Sequence, residues 1–310
     1  MRDILIYDRY MVGKFSTNYS IFPPLNFRWI HADEKYGDPS AIHHTPNDVV
    51  FYTDDLIWME NKTGKIRIAW ILEPPEYMPK THAWIRHKDA YEQFDYVFTW
   101  DKRLLGTDDR FLLYTTGNSW IQRDAVGIYP KDKFLSMAAS WKKFMSGHAF
   151  RHQILDRYMT QYGIHWYGKR GQNPQDNYIL PFDSTVQNTI TDLIDAYKDY
   201  MFTIVVENQN LDYMFSEKIV SPILCGTIPI YYGMPAIGEF FDTRGMLIFN
   251  NIEELGAILK SLTVTPYAYV EKYMEMLPYA QDNFEKAKGY QLLEDGIFDK
   301  LVQMNVIKES

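Results

Sequence analysis

Short apolar runs, each closing on a carboxylate, recur along the first third of the chain: "DILIYD" (3–8), "DVVFYTDD" (48–55), "KIRIAWILE" (65–73) and "DYVFTWD" (95–101). Runs rich in β-branched and aromatic residues and bounded by polar positions predict buried strands of a parallel sheet covered on both faces. Between them the pattern is irregular, except that residues 80–93, after Pro74, Pro75 and Pro79, take helical spacing. The later chain repeats the alternation. "KDKFLSMAASWKK" (131–143), "IHWYGKRG", residues 202–206, "TIPIYYG" and "GMLIFN" read as strands. Residues 147–163, ending at Gly163, 184–200, a segment from about Ser216, "NIEELGAILKSL" and 281–308 read as helices.

Repeated β–α alternation in both halves predicts an α/β protein of two Rossmann-like domains with mostly parallel sheets. The polar, Gly- and Pro-containing stretch "DAVGIYPKDK" places the boundary between residues 1–130 and 131–310, with the last helix packing back on the first domain. The chain has 310 residues, near the size at which a single core splits.

Composition narrows the function classes. With 46% hydrophobic and 23% charged residues the chain is an ordinary globular protein, and a net charge of −8 argues against a broad nucleic-acid surface. A phosphate site must therefore be concentrated in a local basic pocket. Cys225, the single cysteine, follows Ile223 and Leu224 and reads as a packed thiol. The apolar run 4–7 is too short for a membrane span, so no stable membrane insertion and a cytoplasmic location are expected.

Chemistry concentrates in "FTIVVENQNLDYMFSEKIVSPILCGTIPIYYG", residues 202–233. In open α/β sheets ligands bind beyond the carboxyl ends of strands, where Glu207 and Asn208 stand. Ser216 can cap a following helix, leaving Glu217 and Lys218 in its first turn with Lys218 available to a phosphate. Pro222, one turn in, predicts a kink or a later helix start. His148 and His152, four apart, share a helix face, but further ligands at metal spacing are lacking and no metal site is expected.

This stretch resembles the donor-binding signature of the α-1,3/1,4-fucosyltransferases, glycosyltransferase family 10, in which a strand ends in E-N and S/T-E-K precedes an apolar helix and a P-[IV] strand. The resemblance is specific over residues 202–233 and looser over 130–260. It implies a GT-B fold, two Rossmann-like domains facing across a cleft, with the acceptor side N-terminal and the nucleotide sugar C-terminal. By the same resemblance Lys218 contacts the donor diphosphate, Glu217 a ribose or sugar hydroxyl, and Glu207 and Asn208 shape the donor pocket. Arg151 matches the family's helix arginine, suited to the β-phosphate, and Lys169 and Arg170 form a second basic loop. The family's tyrosine three residues before the S/T-E-K glutamate falls on Met214, with Tyr213 one place earlier. Glu73, after a first-domain strand and before Pro74-Pro75, matches the general base, with Glu76 as alternative. Animal members carry a membrane anchor and disulfides, and the chain is closer to soluble bacterial or viral members.

The resemblance thus implies an inverting, metal-independent transfer of L-fucose from GDP-fucose to a hydroxyl of a glycan acceptor. The competing readings are a transferase using another nucleotide sugar, or a non-catalytic sugar- or nucleotide-binding module.

Overall fold

Among the described residues the apolar runs become strands of two parallel sheets. The computed structural model describes residues 3–8, 26–31, 49–60, 62–115, 117–140, 142–168, 190–291 and 293–307. Lys169, Arg170, His43 and His44 lie outside the described residues. The chain divides into two compact units, Met1–Thr116 with Leu292–Ser310, and Gly117–Gln291.

The first unit contains β1 (Asp3–Asp8), β2 (Asn26–His31), β3 (Val49–Thr53), β4 (Ile66–Trp70), β5 (Tyr96–Thr99) and β6 (Phe111–Leu113). Their order is β2-β1-β3-β4-β5-β6. β1 pairs with both β2 and β3, so the strand order reverses there. One face packs Ile4, Ile6, Phe51, Ile68, Trp70 and Phe98 against Ile297, Phe298 and Leu301 of α7 (Leu293–Gln303). β2 and β6 were not expected: "NFRWIH" is embedded in polar insert sequence, and "FLL" is too short to show a period.

The helix expected over 80–93 is two short ones, α1 (Pro79–Trp84) and α2 (Lys88–Tyr91), separated by His87 in extended conformation (ψ 137°). One straight helix would set Ile85 and Ala90 about 140° apart around its axis. The break lets both be buried, at 0% and 2% exposure.

The second unit has β7 (Lys133–Ala138), β8 (His165–Tyr167), β9 (Tyr200–Val206), β10 (Ile228–Tyr232) and β11 (Leu247–Ile248), in the order β11-β10-β9-β7-β8. β9 is buried along its whole length. β7 pairs with β8 on one side and β9 on the other, a second reversal point. α3 (Ser146–Tyr162) ends at Gly163, whose φ of 63° is the left-handed cap expected of a glycine. α4 (Glu217–Ile223) and α5 (Ile252–Leu262) follow β9 and β11.

Two further expectations are corrected. Residues 190–196 form 3₁₀ turns rather than an α-helix, ending where Ala196 and Tyr197 wedge against Ile121 and Cys225. The single helix expected over 281–308 is α6 (Ala268–Lys288) and α7, interrupted after Gly289 because α6 packs on the second unit's core and α7 on the first's.

Lys131 fastens the amino-terminal edge of the second sheet. Its ammonium donates to the carbonyls of Cys225 (2.6 Å), Lys198 (2.8 Å) and Tyr197 (3.2 Å) and to the Thr227 hydroxyl (3.0 Å). One group thus ties the chain entering β7, β9 and β10. Lys131→Met strips these acceptors of a charged donor in a half-buried place, and should lower unfolding stability by about 3 kcal/mol, read by denaturant titration.

Candidate donor site at the end of the second sheet

Five sequence-predicted residues meet where β9 ends, beside the strand-order reversal between β7 and β9. Ligands of open parallel sheets gather at such reversals, beyond the strand carboxyl ends. Glu207, the first residue past β9, is 2% exposed. Its N–H donates to the Tyr232 carbonyl at 2.9 Å, extending the ladder with β10 by one bond. Its carboxylate turns onto Ser216: Oε1 accepts the Ser216 N–H at 3.0 Å and Oε2 the Ser216 hydroxyl at 2.6 Å.

Ser216 passes this restraint to α4. Its Oγ accepts the Lys218 N–H at 3.4 Å and the Lys218 ammonium at 3.1 Å. The later helix start that Pro222 predicts does not occur. Glu207 holds Ser216 in extended conformation, so α4 begins at Glu217 and carries Pro222 near its end. The Lys218 ammonium also pairs with Glu217 Oε1 at 2.8 Å, with side-chain exposures of 24% and 14%. The pair therefore sits part-way into the protein while keeping access to solvent.

Arg151, on α3, is 4% exposed. Its Nε and Nη2 both donate to the Val206 carbonyl, at 2.9 and 2.6 Å, and Nη2 also to Asn208 Oδ1 at 2.8 Å. The guanidinium thus locks the last β9 carbonyl and the Asn208 side chain together. Burial lowers it to about 10, against the attraction of Glu207 and Glu217, so it remains a cation at neutral pH. Burial also pushes Glu207 upward, opposed by Lys218 and the Ser216 hydrogen bonds. Glu217 moves the other way: burial raises it, but the Lys218 charge and hydrogen bond and the Arg151 charge outweigh burial and leave it low.

Gly147 and His148 complete the arrangement without having been singled out for it. Gly147 donates to the Asn208 carbonyl at 2.9 Å, and a β-carbon there would overlap the Glu207 backbone oxygen. Only glycine allows this approach. The signal was present as the Gly-His start of the helix expected over 147–163, but nothing local shows which strand it meets. His148 is 4% exposed, and its Nδ1 has no hydrogen-bond partner among the described residues. Burial first, then the charges of Arg151, Lys218 and Lys142, lower it to about 3.

Tyr213 packs beside Phe215 on the core and directs its hydroxyl to Glu239 at 3.3 Å; Met214 is buried, at 7% exposure. Glu73 belongs to the first unit, just past β4, and is half-buried, whereas Glu76 is exposed. The Glu73 N–H donates to Asp54 Oδ1 at 3.0 Å, and its carbonyl accepts from His82 Nε2 at 2.8 Å. Neither partner was expected. "TDD" read only as the polar end of a strand, and His82 as part of a helix. Among the described residues no group of three or more His, Cys, Asp or Glu is arranged to hold a metal, and no helix is long and apolar enough to cross a membrane.

No protein-family model matches the chain. In structure it is similar to an α1,3-fucosyltransferase solved with GDP, at TM-score 0.54 and 15% identity over 97% of this chain and 90% of that one. It is also similar to Anabaena HepE solved with UDP-glucose, at TM-score 0.58 and 10% identity over 98% and 99%. These likenesses and the two parallel sheets define a GT-B-like fold, as expected.

In sequence the chain is 25% identical over 250 residues to a putative fucosyltransferase-like protein of Arabidopsis thaliana, covering 79% of this chain and 42% of that protein. It is 26% identical over 100 residues to an α-(1,4)-fucosyltransferase of the same plant, covering 31% and 25%. The chain thus spans less than half the length of these curated relatives. In sequence the likeness is thus to fucosyltransferase-like proteins, and in structure to the GT-B fold.

The His148 environment yields a test with a definite sign. Its folded value lies below the ordinary 6.5, so between 6.5 and about 3 the unfolded chain binds the extra proton. Its contribution is complete above the upper limit and is lost as pH falls. Urea titrations at pH 7.5 and 5.0 should show a stability loss of up to about 1.4 kcal/mol per pH unit from this group. The same comparison in His148→Gln should show a shallower loss.

Proposed function

We propose that the protein is an inverting fucosyltransferase that moves L-fucose from GDP-fucose to a hydroxyl of a glycan acceptor. The observation that carries this reading is the Glu217–Lys218 pair, part-exposed at the strand-order reversal and held through Ser216 by Glu207, in a chain related in sequence to fucosyltransferases.

Each side chain has a task in this reaction. Lys218 meets the donor diphosphate, and Glu217, kept ionised by its neighbours, accepts a hydrogen bond from a ribose or fucose hydroxyl. Arg151 holds Val206 and Asn208 in place and contributes fixed positive potential behind the leaving group. Glu207 acts on the donor through Ser216 and Lys218, since both its oxygens are engaged by Ser216.

Glu73 accepts the acceptor hydroxyl proton as that oxygen bonds to the fucose anomeric carbon. The bond from that carbon to the β-phosphate oxygen breaks, and GDP leaves with the electron pair. A single displacement inverts the anomeric centre. The charge developing on GDP is met by Lys218 and Arg151, so transfer is expected to persist in EDTA.

Thermal shift with GDP, UDP, ADP and their sugars tests the donor. Stabilisation specific to GDP and GDP-fucose is expected; a response to UDP or ADP alone moves the donor, and no response to any nucleotide removes the donor-site assignment. Lys218→Ala should lower turnover by roughly 10²–10³-fold, the scale of losing one charge-stabilising contact. Glu73→Gln should abolish transfer while GDP still stabilises the protein, and unchanged turnover would remove Glu73 from the mechanism.

A further inference from the structure

Asp54 carries no role in the reaction described above, yet its setting is unusual for a carboxylate. It is 2% exposed and takes φ 44°, a left-handed conformation that costs most side chains energy and that aspartate tolerates comparatively well. The turn aims Oδ1 at two backbone N–H groups, those of Leu72 at 2.9 Å and Glu73 at 3.0 Å. The β3–β4 pairing ends at Thr53 and Trp70, so the Asp54 side chain takes over where the backbone ladder stops. Beyond it, His82 on α1, 3% exposed, holds the Glu73 carbonyl. Glu73 is thereby fixed at its N–H and its C=O, with Pro74 stiffening the chain after it.

The charges facing Asp54 come from both neighbouring strands: Asp8 at the end of β1 and Glu73 past β4. Asp8 is fully buried and accepts the Thr53 hydroxyl at 2.6 Å. Burial and then the Glu73 charge push the Asp54 carboxyl well above its ordinary range, against the two amide bonds, with Asp8 adding to the rise. Tyr77 is raised by burial and by Glu73, Asp54 and Asp55, which places it in the same electrostatic neighbourhood.

We propose that Asp54 is a positioning residue for Glu73: its buried carboxyl, held in a left-handed turn, pins the Leu72 and Glu73 amides and so fixes the backbone from which the Glu73 carboxylate accepts the acceptor proton. The proton transferred in the reaction stays on Glu73. This rests on Glu73 being the base.

Two replacements separate geometry from charge. Asparagine tolerates the left-handed turn and keeps an oxygen for both amides but cannot ionise; glycine tolerates the turn and offers no acceptor. Hydrogen exchange needs no substrate: Asp54→Gly should speed exchange of the Leu72 and Glu73 amides by about tenfold or more, whereas Asp54→Asn leaves them near wild type. With GDP-fucose alone and water as acceptor, GDP release should fall about 10²-fold in kcat for Asp54→Gly with KM unchanged, the scale of a misplaced catalytic group. Asp54→Asn should restore most of kcat.

Wild-type amide exchange and kcat in Asp54→Gly, or a loss in Asp54→Asn as large as in Asp54→Gly, overturns the proposal. Glu73→Gln in the same assay tells the two failures apart. An inactive Glu73→Gln beside a normal Asp54→Gly removes only the positioning role, whereas normal turnover of Glu73→Gln removes the base and the positioning role with it.

Discussion

The buried Glu207 carboxylate is the constraint on which the carboxyl end of the second sheet depends. A carboxylate taken out of water costs several kcal/mol unless its oxygens are satisfied. Here both are met by one residue, Ser216, nine positions later. That demand draws the loop 208–215 back onto the strand end and sets where α4 begins. It also leaves Ser216 Oγ to receive Lys218, so a buried anion orients a cation that stays within reach of solvent. Arg151 answers the same problem from the other side, capping the last β9 carbonyl and holding Asn208.

Both units place their polar residues at equivalent topological positions. In the first the reversal lies between β1 and β3, where the Thr53 hydroxyl bridges the Tyr7 carbonyl and the Asp8 carboxylate, and Asp54 reaches over to the β4 end. In the second it lies between β7 and β9, where α3 and the residues after β9 meet. Parallel strands leave their final carbonyl and amide groups without ladder partners at these points, and side chains must supply them. The same need that stabilises the strand end brings carboxylates and cations to the place where a ligand reaches the sheet.

Strands were legible wherever the apolar run was long and buried on both faces, as in β1, β3, β4 and β9. β2 and β6 were not: β2 lies within polar insert sequence and the three residues of β6 follow the charged stretch 101–110, whereas β8, equally short, stood out between the helix end at Gly163 and the basic run after it. The helix breaks at His87 and after Gly289 answer to packing on a distant sheet, which local spacing does not encode. In the site, Glu207 and Asn208 were visible as polar residues at an apolar strand end, and Glu217 and Lys218 as the first turn of a helix that Ser216 caps. The family resemblance added Arg151 and Glu73, which a strand-end or helix position alone would not separate from solvated charge. Gly147, Asp54 and His82 escaped notice because nothing local shows what each meets: Gly147 meets Asn208, Asp54 the Glu73 amide and His82 the Glu73 carbonyl; His148 was legible only as one of two histidines sharing a helix face.

The clamp also has a chemical consequence for donor choice. Lys218 and Arg151 are suited to a diphosphate and Glu217 to a hydroxyl, features that every nucleotide sugar offers. Selection of the base must therefore rest on other side chains. The position where the resembled family carries a tyrosine is filled by Met214, which is buried in the core, while Tyr213 beside it directs its hydroxyl to Glu239. Within the proposed reaction, activation of the leaving group rests on charges that any nucleotide diphosphate would meet, so a change of base preference need not disturb the buried carboxylate that holds the clamp in place.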